Sequence, residues 1–382
     1  MERRRRSVFT RSTVYAYSYR MSHGILGRKA FKGRGALTNP AGRFERQEME
    51  RVDDGWYSEE LPDSIATTVM PDAARGVISR NDSPDLSFEY SINPYRGCEH
   101  GCIYCYARPS HGYLGLSAGI DFETRLFYKA DAARVLEDEL AAPGYVCKPI
   151  MIGANTDPYQ PVERELQVTR SVLEVLARTR HPVTVISKSA LVLRDLDILT
   201  DLARDGLTSV AISITTLSAE TKRSLEPRTA SGQARLRALR ELNSAGVPAG
   251  VMVAPVIPAI TDHEMEAILE ASAQAGARWA AYTLVRLPYE IKDLFRDWLT
   301  EHFPDRATHV MSLIQDMRGG KDNDPRFGFR MRGTGAIAEL LRSRFKVACK
   351  RLDLGSGSRR GALPTNLFRP PLKTGSQLQL GF

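Results

Sequence analysis

Short runs of apolar and β-branched residues alternate with longer amphipathic stretches between residues 86 and 302 of this 382-residue chain. Apolar runs bounded by turn residues predict buried strands, and apolar positions that recur about every three to four residues predict helices. The predicted strands are Leu86–Ile92, Pro149–Ala154, Val183–Ser187, Ser209–Ile214, Ala249–Ala254 and Trp279–Leu284. The predicted helices are Ala132–Leu140, Glu163–Ala177, Leu193–Ala203, Ala234–Ala245, Asp262–Ala275 and Pro288–Glu301.

This alternation is typical of the α/β class, in which helices cover parallel strands. Six successive strand–helix units predict a partial (β/α)6 barrel of the TIM type, and a flat, doubly wound sheet is the alternative. In both architectures the functional residues lie where the strands end and the following loops begin. The loops at the carboxyl ends of the strands are therefore the expected positions of functional side chains.

The pattern changes on both sides of this core. The first 60 residues lack sustained periodicity, and after residue 303 two helical patterns remain, at Ala307–Met317 and Ala336–Lys350. The end of the chain is rich in Gly, Ser and Pro, which is typical of an unstructured tail. We therefore predict a basic, irregular N-terminal extension, a core barrel, a helical C-terminal segment and a disordered tail at residues 1–60, 61–302, 303–352 and 353–382.

The positive charge is concentrated near the N-terminus. The formal net charge is +8, and no acidic residue stands between Arg3 and Phe44. Such a segment suits a phosphate-rich partner such as DNA or RNA, because each neutralised phosphate releases counterions. A solvated leader is the alternative, and the composition also resembles a transit peptide. The sequence contains no apolar run of the roughly 20 residues that span a bilayer, and we expect a cytoplasmic protein without a membrane partner.

Three of the five cysteines, Cys98, Cys102 and Cys105, lie within eight positions directly after the first predicted strand. An odd number of cysteines with this clustering does not suit a secreted disulfide scaffold and indicates a metal in a reducing compartment. An iron–sulfur cube usually takes four thiolates. Three thiolates from one tight loop would leave one iron open to an exogenous ligand, which is the arrangement that the C-x3-C-x2-C spacing predicts.

A structural zinc site is the alternative for this loop, completed by His100 or His111. Zinc sites commonly combine C-x2-C pairs with ligands some distance away, and the chain has no second pair of that kind. We interpret Cys147 and Cys349 as small buried hydrophobic residues rather than ligands.

The stretch Asn93–Arg108, with aromatic Tyr104 just before the third cysteine, resembles the radical S-adenosylmethionine (SAM) superfamily, and within it the branch related to spore photoproduct lyase. The stretches Asn155–Glu163 and Thr184–Ser189 are similar to the same branch. The resemblance implies a [4Fe–4S] cluster on the three clustered cysteines and reductive cleavage of S-adenosylmethionine to a 5′-deoxyadenosyl radical. It also implies a flavodoxin- or ferredoxin-type electron donor or a reductase.

The resemblance also suggests which residues hold the cofactor. Tyr104 would lie beside the adenine, Thr156 and Asp157 would replace a Gly-Gly-Glu that binds the methionyl amino group, and Lys188 and Ser213 would hold the methionyl carboxylate. A cationic ammonium and a short hydroxyl donor suit a carboxylate. Loop packing for the tyrosine, helix capping for Thr156 and Asp157, and a surface position for the lysine remain the alternatives.

The substrate is less well defined, and no residue is assigned as catalytic. Spore photoproduct lyase relies on a cysteine near the end of its second strand, where this chain has Gly153–Thr156 and no thiol, so we do not expect that activity. The segment Arg326–Arg332 interleaves cations with aromatic residues, as surfaces that bind bases and phosphates do; a loop that packs two Phe residues onto the core is the alternative. The hypotheses are a radical SAM enzyme acting on a nucleic acid or nucleotide, one acting on a protein, peptide or small molecule, and a non-catalytic, metal-stabilised nucleic-acid-binding module.

Overall fold

The structure is a computed structural model that describes residues 30–44, 63–356 and 363–371. Its strands are β1 (Thr68–Pro71), β2 (Ile78–Arg80), β3 (Tyr90–Ile92), β4 (Tyr95–Arg96), β5 (Arg125–Tyr128), β6 (Ile150–Ile152), β7 (Val183–Ser187), β8 (Thr208–Ser213), β9 (Ala249–Val256), β10 (Trp279–Leu284) and β11 (Gly355–Ser356). Its helices are α1 (Ile120–Thr124), α2 (Ala132–Leu140), α3 (Glu163–Leu166), α4 (Val168–Arg178), α5 (Leu196–Arg204), α6 (Ala219–Leu225), α7 (Gly232–Ser244), α8 (Met265–Gln274), α9 (Ile291–His302), α10 (Ala307–Asp316) and α11 (Gly335–Arg351). Short 3-10 helices occupy Arg108–Leu114, Ala190–Asp195 and Asp262–Glu264.

The main sheet has eight strands in the order β11-β10-β9-β8-β7-β6-β3-β2. The six predicted strands correspond to β3 and β6 to β10, and neighbouring members of this set pair in parallel. Strand β2 pairs antiparallel at one edge, and β11 adds a short parallel strand at the other. Within the described residues β2 and β11 do not pair with each other, so the sheet is open. The prediction of an α/β fold with six parallel strands is confirmed.

The parallel strands are covered on both faces, which explains their apolar and β-branched composition. All six residues of β8 are buried, and so are Val183 and Val185 of β7. Helices pack their apolar sides against the sheet, as α4 does with Val172 and Leu176. Burying one such side chain contributes about 1.5–3 kcal/mol relative to its exposure. The core therefore lies between the sheet and its helices and leaves the loops at the strand ends available for function.

A second, three-stranded sheet holds the cysteine loop and was not predicted. Strand β1 pairs in parallel with β5, and β5 pairs antiparallel with the two-residue strand β4, which directly precedes Cys98. Strands this short, with exposed residues at both ends of β1, carry no clear alternation of apolar and polar positions. Pattern analysis therefore misses them, because a period of two is visible only over several residues.

Three predicted elements have the observed ends, and most of the others differ by one to four residues at an end. Helix α2, β7 and β10 have the predicted ends. The predicted helix from Glu163 to Ala177 is divided between α3 and α4 at Gln167, which has a left-handed φ of 51°. The Glu163 carboxylate accepts the N–H of Thr169 at 3.0 Å and that of Arg170 at 3.4 Å. This side chain therefore caps the second helix and favours the break.

The segments outside the main sheet differ in part from the expectation. Helix α11 is tied to α8 by an ion pair between Arg344 and Glu266 at 2.7 Å. In the tail that was expected to be disordered, β11 joins the sheet. Residues 363–371 pack beside the end of α4, where Arg369 N–H donates to Thr179 O at 2.8 Å and the Phe368 ring lies 5.1 Å from the ring of His181. The physical reason is a backbone bond together with an aromatic contact, which local composition does not reveal. The other tail residues, and residues 1–29 and 45–62 of the extension, lie outside the described residues. The four-segment division stays a prediction. Within the described ranges, no helix has the length and apolar character needed to cross a membrane.

Candidate functional site

The three clustered cysteines lie on a loop that follows β3 and β4. Cys98 N–H donates to Phe122 O at 2.9 Å. Glu99 N–H donates to Oε1 of Gln160, a residue of the segment after β6, at 2.9 Å. These bonds fix the loop at the carboxyl ends of the parallel strands, the edge at which the sequence predicts functional residues.

The thiols of this loop are largely removed from water. Cys98 and Cys102 are buried and Cys105 is half-buried. Main-chain N–H groups are directed at two of the sulfurs: that of Asp157 at Cys98, and those of residues 107 and 108 at Cys105. Burial raises the pKa of all three thiols. Thiolates at these positions therefore require hydrogen-bond donors and compensating positive charge.

The two histidines of the zinc alternative each have one ring nitrogen engaged elsewhere. His100 Nδ1 lies 3.4 Å from Asp157 Oδ2. His111 Nε2 lies 2.9 Å from Arg125 O, and its ring packs edge-on against Phe122. In the part of the chain that the structure describes, no three His, Cys, Asp or Glu side chains converge as a ready-made site for a single metal ion. The same holds for Cys98, Cys102 and Cys105, so zinc and an iron–sulfur cluster both remain alternatives for the loop.

A buried arginine, Arg108, donates hydrogen bonds to the backbone of the cysteine loop. Arg108 Nε donates to Cys102 O at 2.9 Å, and its Nη2 donates to Gly101 O at 3.2 Å. The same guanidinium donates to Gly119 O at 2.9 Å and pairs with Glu123 Oε1 at 2.5 Å. Both charged side chains are fully buried. One arginine therefore holds the loop backbone and the start of α1 in a fixed relation.

A segment of the N-terminal extension contacts Glu123, the ion-pair partner of Arg108. The N–H groups of Gly35 and Ala36 donate to the two oxygens of Glu123, each at 2.9 Å. Arg34 Nη1 donates to Glu123 O at 2.9 Å. A Cβ added at Gly35 would lie 1.9 Å from Gly101 O, so only glycine fits at this approach. Sequence analysis treated this region as an irregular extension and missed its contact with the cysteine loop.

Three of the five predicted cofactor-binding residues come together in one cluster. Lys188 Nζ donates to Ser213 Oγ at 2.9 Å and to Thr215 Oγ1 at 3.1 Å, and it lies 3.1 Å from Glu226 Oε1. The hydroxyl of Tyr104 donates to the Glu226 carboxylate and lies 3.2 Å from Thr215 Oγ1. Lys188, expected at the end of the third strand, is therefore held by polar groups and is not a freely exposed side chain.

Glu226 is the centre of this cluster; the sequence marks residues 223–228 as a polar cluster that could face a substrate but gives Glu226 no specific role. It is fully buried and forms an ion pair with the fully buried Arg235. Burial alone would raise the pKa of this carboxyl, but Arg235 and Lys188 hold it well below its usual range. Glu226 and Thr215 both follow β8, and this position after a parallel strand is the sign by which they could have been found.

The other two predicted cofactor-binding residues contact the protein itself. The Thr156 hydroxyl donates to Tyr95 O at 2.7 Å. The buried Asp157 carboxylate accepts from Ser187 Oγ at 2.7 Å and from Lys188 N at 2.7 Å. Asp157 thereby links the loop after β6 to Lys188. The assignment of Thr156 and Asp157 to the methionyl amino group stays a prediction.

The end of the second predicted strand carries an aromatic residue in place of a thiol. The hydroxyl of Tyr106, next to the third cysteine of the loop, donates to Ala154 O just beyond β6. Cys147 precedes β6 and therefore stands at the opposite, amino end of that strand. The expectation that the chain lacks spore photoproduct lyase activity stays a prediction.

Comparison with known proteins fits this geometry. The family model described as the radical SAM superfamily matches residues 92–271. An uncharacterized protein of Mycobacterium tuberculosis is 35% identical over 232 residues, which cover 60% of this chain and 68% of that protein. The chain belongs to the radical SAM superfamily. A second relative of this radical SAM enzyme, the radical SAM Nalpha-GlyT isomerase of Pseudomonas phage M6, is 22% identical over 273 residues, 70% of this chain and 51% of that protein.

Solved structures share the fold of this radical SAM enzyme. Spore photoproduct lyase complexed with dinucleoside spore photoproduct superposes with a TM-score of 0.55 and 18% identity, covering 75% of this chain and 80% of that one. At this level of identity the likeness shows the fold. The identification of the chain as a radical SAM enzyme is confirmed, and its assignment to a branch related to spore photoproduct lyase stays a prediction.

Proposed function

We propose that Cys98, Cys102 and Cys105 hold a [4Fe–4S] cluster, and that the enzyme reductively cleaves S-adenosylmethionine and acts on a nucleic acid or nucleotide. The observation that carries the proposal is the position of three thiols on one hydrogen-bonded loop, beside the half-buried Lys188 at the carboxyl ends of the strands. When bound, the cluster supplies the electron that breaks a carbon–sulfur bond of the cofactor and yields the 5′-deoxyadenosyl radical. The single-electron donor that we expect is a flavodoxin, a ferredoxin or a reductase.

The donor set of the loop fits a cluster of this kind. Backbone N–H groups at Cys98 and Cys105 stabilise thiolates, and the cations of Arg108 and Lys188 favour the charged form of Cys105. These groups offset part of the cost of three buried negative charges, and bound metal supplies the remainder. The three side chains leave the fourth position of a cube without a protein ligand from this loop.

The cluster around Lys188 suits the methionyl carboxylate of the cofactor. The Lys188 ammonium uses its three donors on Ser213 Oγ, Thr215 Oγ1 and Ala254 O, so a methionyl carboxylate would bind by replacing one of these acceptors. Tyr104 is fixed by Glu226 and presents its ring and backbone at the same edge. In this proposal Asp157 is a positioning residue, because its oxygens accept from Lys188 N and Ser187 Oγ and its N–H is directed at Cys98.

Two observations favour a nucleic acid or nucleotide over a peptide as the substrate. Aromatic side chains stand exposed near the same edge, namely Tyr106, Phe327 and Phe329, and exposed rings stack on bases. The structural neighbour named above was solved with a dinucleoside bound. A protein, a peptide or a small molecule remains the alternative substrate, and a non-catalytic binding module is the alternative of another class.

Anaerobic reconstitution tests the chemistry. The protein is loaded with iron and sulfide, reduced with dithionite in the presence of S-adenosylmethionine, and assayed for 5′-deoxyadenosine by chromatography. We expect product from the wild type and none from the Cys98→Ala, Cys102→Ala, Cys105→Ala triple variant. Zinc in place of iron after anaerobic purification, with no cleavage under any reductant, would mean that the loop is a structural metal site. Oligonucleotide binding is measured separately, since it tests the substrate class and not the cleavage.

A further inference from the structure

Positive charge exceeds negative charge where the loop after α10 meets the end of β10. Four arginines and two aspartates form this rim cluster: Arg286, Arg318, Arg326, Arg330, Asp85 and Asp324. Four positive and two negative charges leave an excess of two positive charges. These groups are close enough to shift one another's pKa. A partly buried excess of this kind favours the binding of an anion.

Two of the arginines are already neutralised. Arg330 Nε donates to Asp85 Oδ2 at 2.6 Å, and Asp85 also accepts from Gly328 N at 2.6 Å. Arg326 Nη2 donates to Asp324 Oδ2 at 2.7 Å. These are two of the three arginines of the segment Arg326–Arg332, which the sequence singled out for phosphate contacts. Their carboxylate partners make them poor candidates, so the interleaved loop contributes mainly its exposed rings.

A third arginine serves the fold. Arg318 is buried and donates to Val285 O at 2.6 Å, to Phe329 O at 3.1 Å and to Arg330 O at 2.9 Å. All three acceptors are backbone carbonyls of the end of β10 and of the aromatic loop. This guanidinium therefore fastens the loop to the sheet but leaves its own charge without a paired carboxylate.

Arg286 is the cation of the cluster that lacks a polar partner in the described ranges. Its buried Nε has no hydrogen-bond acceptor, and its Nη1 lies 3.6 Å from the sulfur of Met331. The residue is half-buried, and burial together with Arg330 lowers its pKa. The fork of donors of a guanidinium is left without the planar, bidentate acceptor that it binds best, a phosphate or a carboxylate.

The position of Arg286 relates it to the proposed active site. It follows β10 at the carboxyl end of the sheet, and its guanidinium carbon lies 5.4 Å from the centre of the Tyr106 ring. Tyr106 is next to Cys105, and its hydroxyl reaches Ala154 O at the end of β6. The guanidinium of Arg286 thus lies beside the exposed ring of Tyr106, the residue that directly follows Cys105.

We propose that Arg286 binds a phosphate group of the substrate, with the base stacked on the neighbouring aromatic rings. This inference rests on the proposed function and assigns the anion site of a nucleotide or nucleic-acid substrate to one residue. The carboxylate of S-adenosylmethionine offers the same chemistry. The cluster around Lys188 and Ser213 already suits that carboxylate, whereas Arg286 lies beside Tyr106, so the substrate phosphate is the ligand that we assign to it.

The test compares the reconstituted wild type with Arg286→Gln, Arg286→Lys and Arg240→Gln, the last an exposed arginine on the outer helix α7. Each protein is titrated with a labelled single-stranded oligonucleotide and with a methylphosphonate analogue that lacks backbone charge, at several salt concentrations. We expect Arg286→Gln to weaken binding of the charged strand about 10-fold and to lower the salt slope by about one. Arg286→Lys should retain part of the affinity, and Arg240→Gln should bind as the wild type does.

The outcomes separate the two proposals. A wild type that binds neither oligonucleotide at low salt means that the nucleic-acid substrate is wrong, and the phosphate site is wrong with it. A wild type that binds the charged strand while Arg286→Gln binds it equally well, with an unchanged salt slope, overturns the phosphate site alone. If Arg286→Gln weakens binding of the charged and the uncharged oligonucleotide equally, Arg286 has a packing role. If the variant weakens binding of S-adenosylmethionine instead of the oligonucleotide, Arg286 binds the cofactor. Either result overturns the proposal. Thermal unfolding of each variant confirms that the compared proteins are folded.

Discussion

Arg108 and Glu123 form a fully buried ion pair, 2.5 Å apart, next to the cysteine loop. Each partner also holds backbone: the guanidinium bonds to carbonyls of the loop, and the carboxylate accepts the N–H groups of Gly35 and Ala36. A buried charge that loses its partner keeps its desolvation cost without compensation. The pair therefore couples the stability of the fold to the position of the three thiols.

Replacing Glu123 by Gln is expected to lower the free energy of unfolding by about 3–5 kcal/mol, because it leaves the Arg108 charge buried and unpaired. Urea denaturation under anaerobic conditions measures the change. The exposed pair of Arg134 and Asp138, 3.2 Å apart, provides the control, and Arg134→Ala should change stability by less than about 1 kcal/mol. A similar small change for both variants would show that the buried pair does not stabilise the loop.

Gly35→Ala is expected to reduce the iron content of the reconstituted protein, because the added Cβ would meet Gly101 O at 1.9 Å and displace either the N-terminal segment or the loop. Iron and sulfide analysis after reconstitution measures the loss. Gly144→Ala is the control, since a Cβ at Gly144 meets open space and the substitution strains only the local backbone, through the positive φ of Gly144. Full iron loading of both variants would mean that residues 34–36 do not position the cysteines.

The sequence was sufficient for the elements whose causes are local. The bounds of β7 and β10 follow from short β-branched or apolar runs between turn residues, and helix α2 follows from its apolar spacing. The cysteine loop was predictable because the spacing of its three cysteines by itself indicates a metal site. Lys188 and Ser213 were placed correctly at strand ends, and the structure brings them to 2.9 Å from each other.

The remainder depends on contacts between distant parts of the chain. Gly35 and Glu123 are 88 positions apart, and neither lies in a periodic pattern. A lone glycine in a basic segment is also typical of an unstructured region, so its close approach to Gly101 is visible only in three dimensions. Glu226 depends on the same kind of contact: its position after a strand makes it a candidate, but its buried ion pair with Arg235 is visible only in the structure.

Lys188→Met is expected to weaken binding of S-adenosylmethionine by at least about 10-fold, because it removes a charge-assisted hydrogen bond to the methionyl carboxylate. Ser213→Ala should weaken it less, since a neutral donor contributes about 1 kcal/mol. Equilibrium binding to the reconstituted, oxidised protein measures both effects. Iron content should stay at the wild-type level, which distinguishes loss of a cofactor contact from loss of the cluster.

Thr156→Val serves as the comparison for these two variants. Its hydroxyl donates to Tyr95 O, so the substitution is expected to lower stability more than cofactor affinity. If Thr156→Val abolishes binding of S-adenosylmethionine while Lys188→Met leaves it intact, the assignment of the two residues is reversed.

The stability of the fold is expected to fall between neutral and mildly acidic pH because of His181. Burial lowers the pKa of this ring to about 4, and Tyr145 OH and Pro182 O contact its two nitrogens at 2.8 and 3.0 Å. The unfolded chain binds the proton near pH 6.5 and the folded chain does not, so stability is full above that pH and is lost as the pH falls toward about 4. Between about pH 7 and pH 5 the loss from one such histidine is about 2 kcal/mol. Urea midpoints for the wild type and His181→Gln test this: the variant should be less stable at pH 7 and should show a smaller decrease on acidification, whereas parallel pH profiles would mean that another group governs the transition.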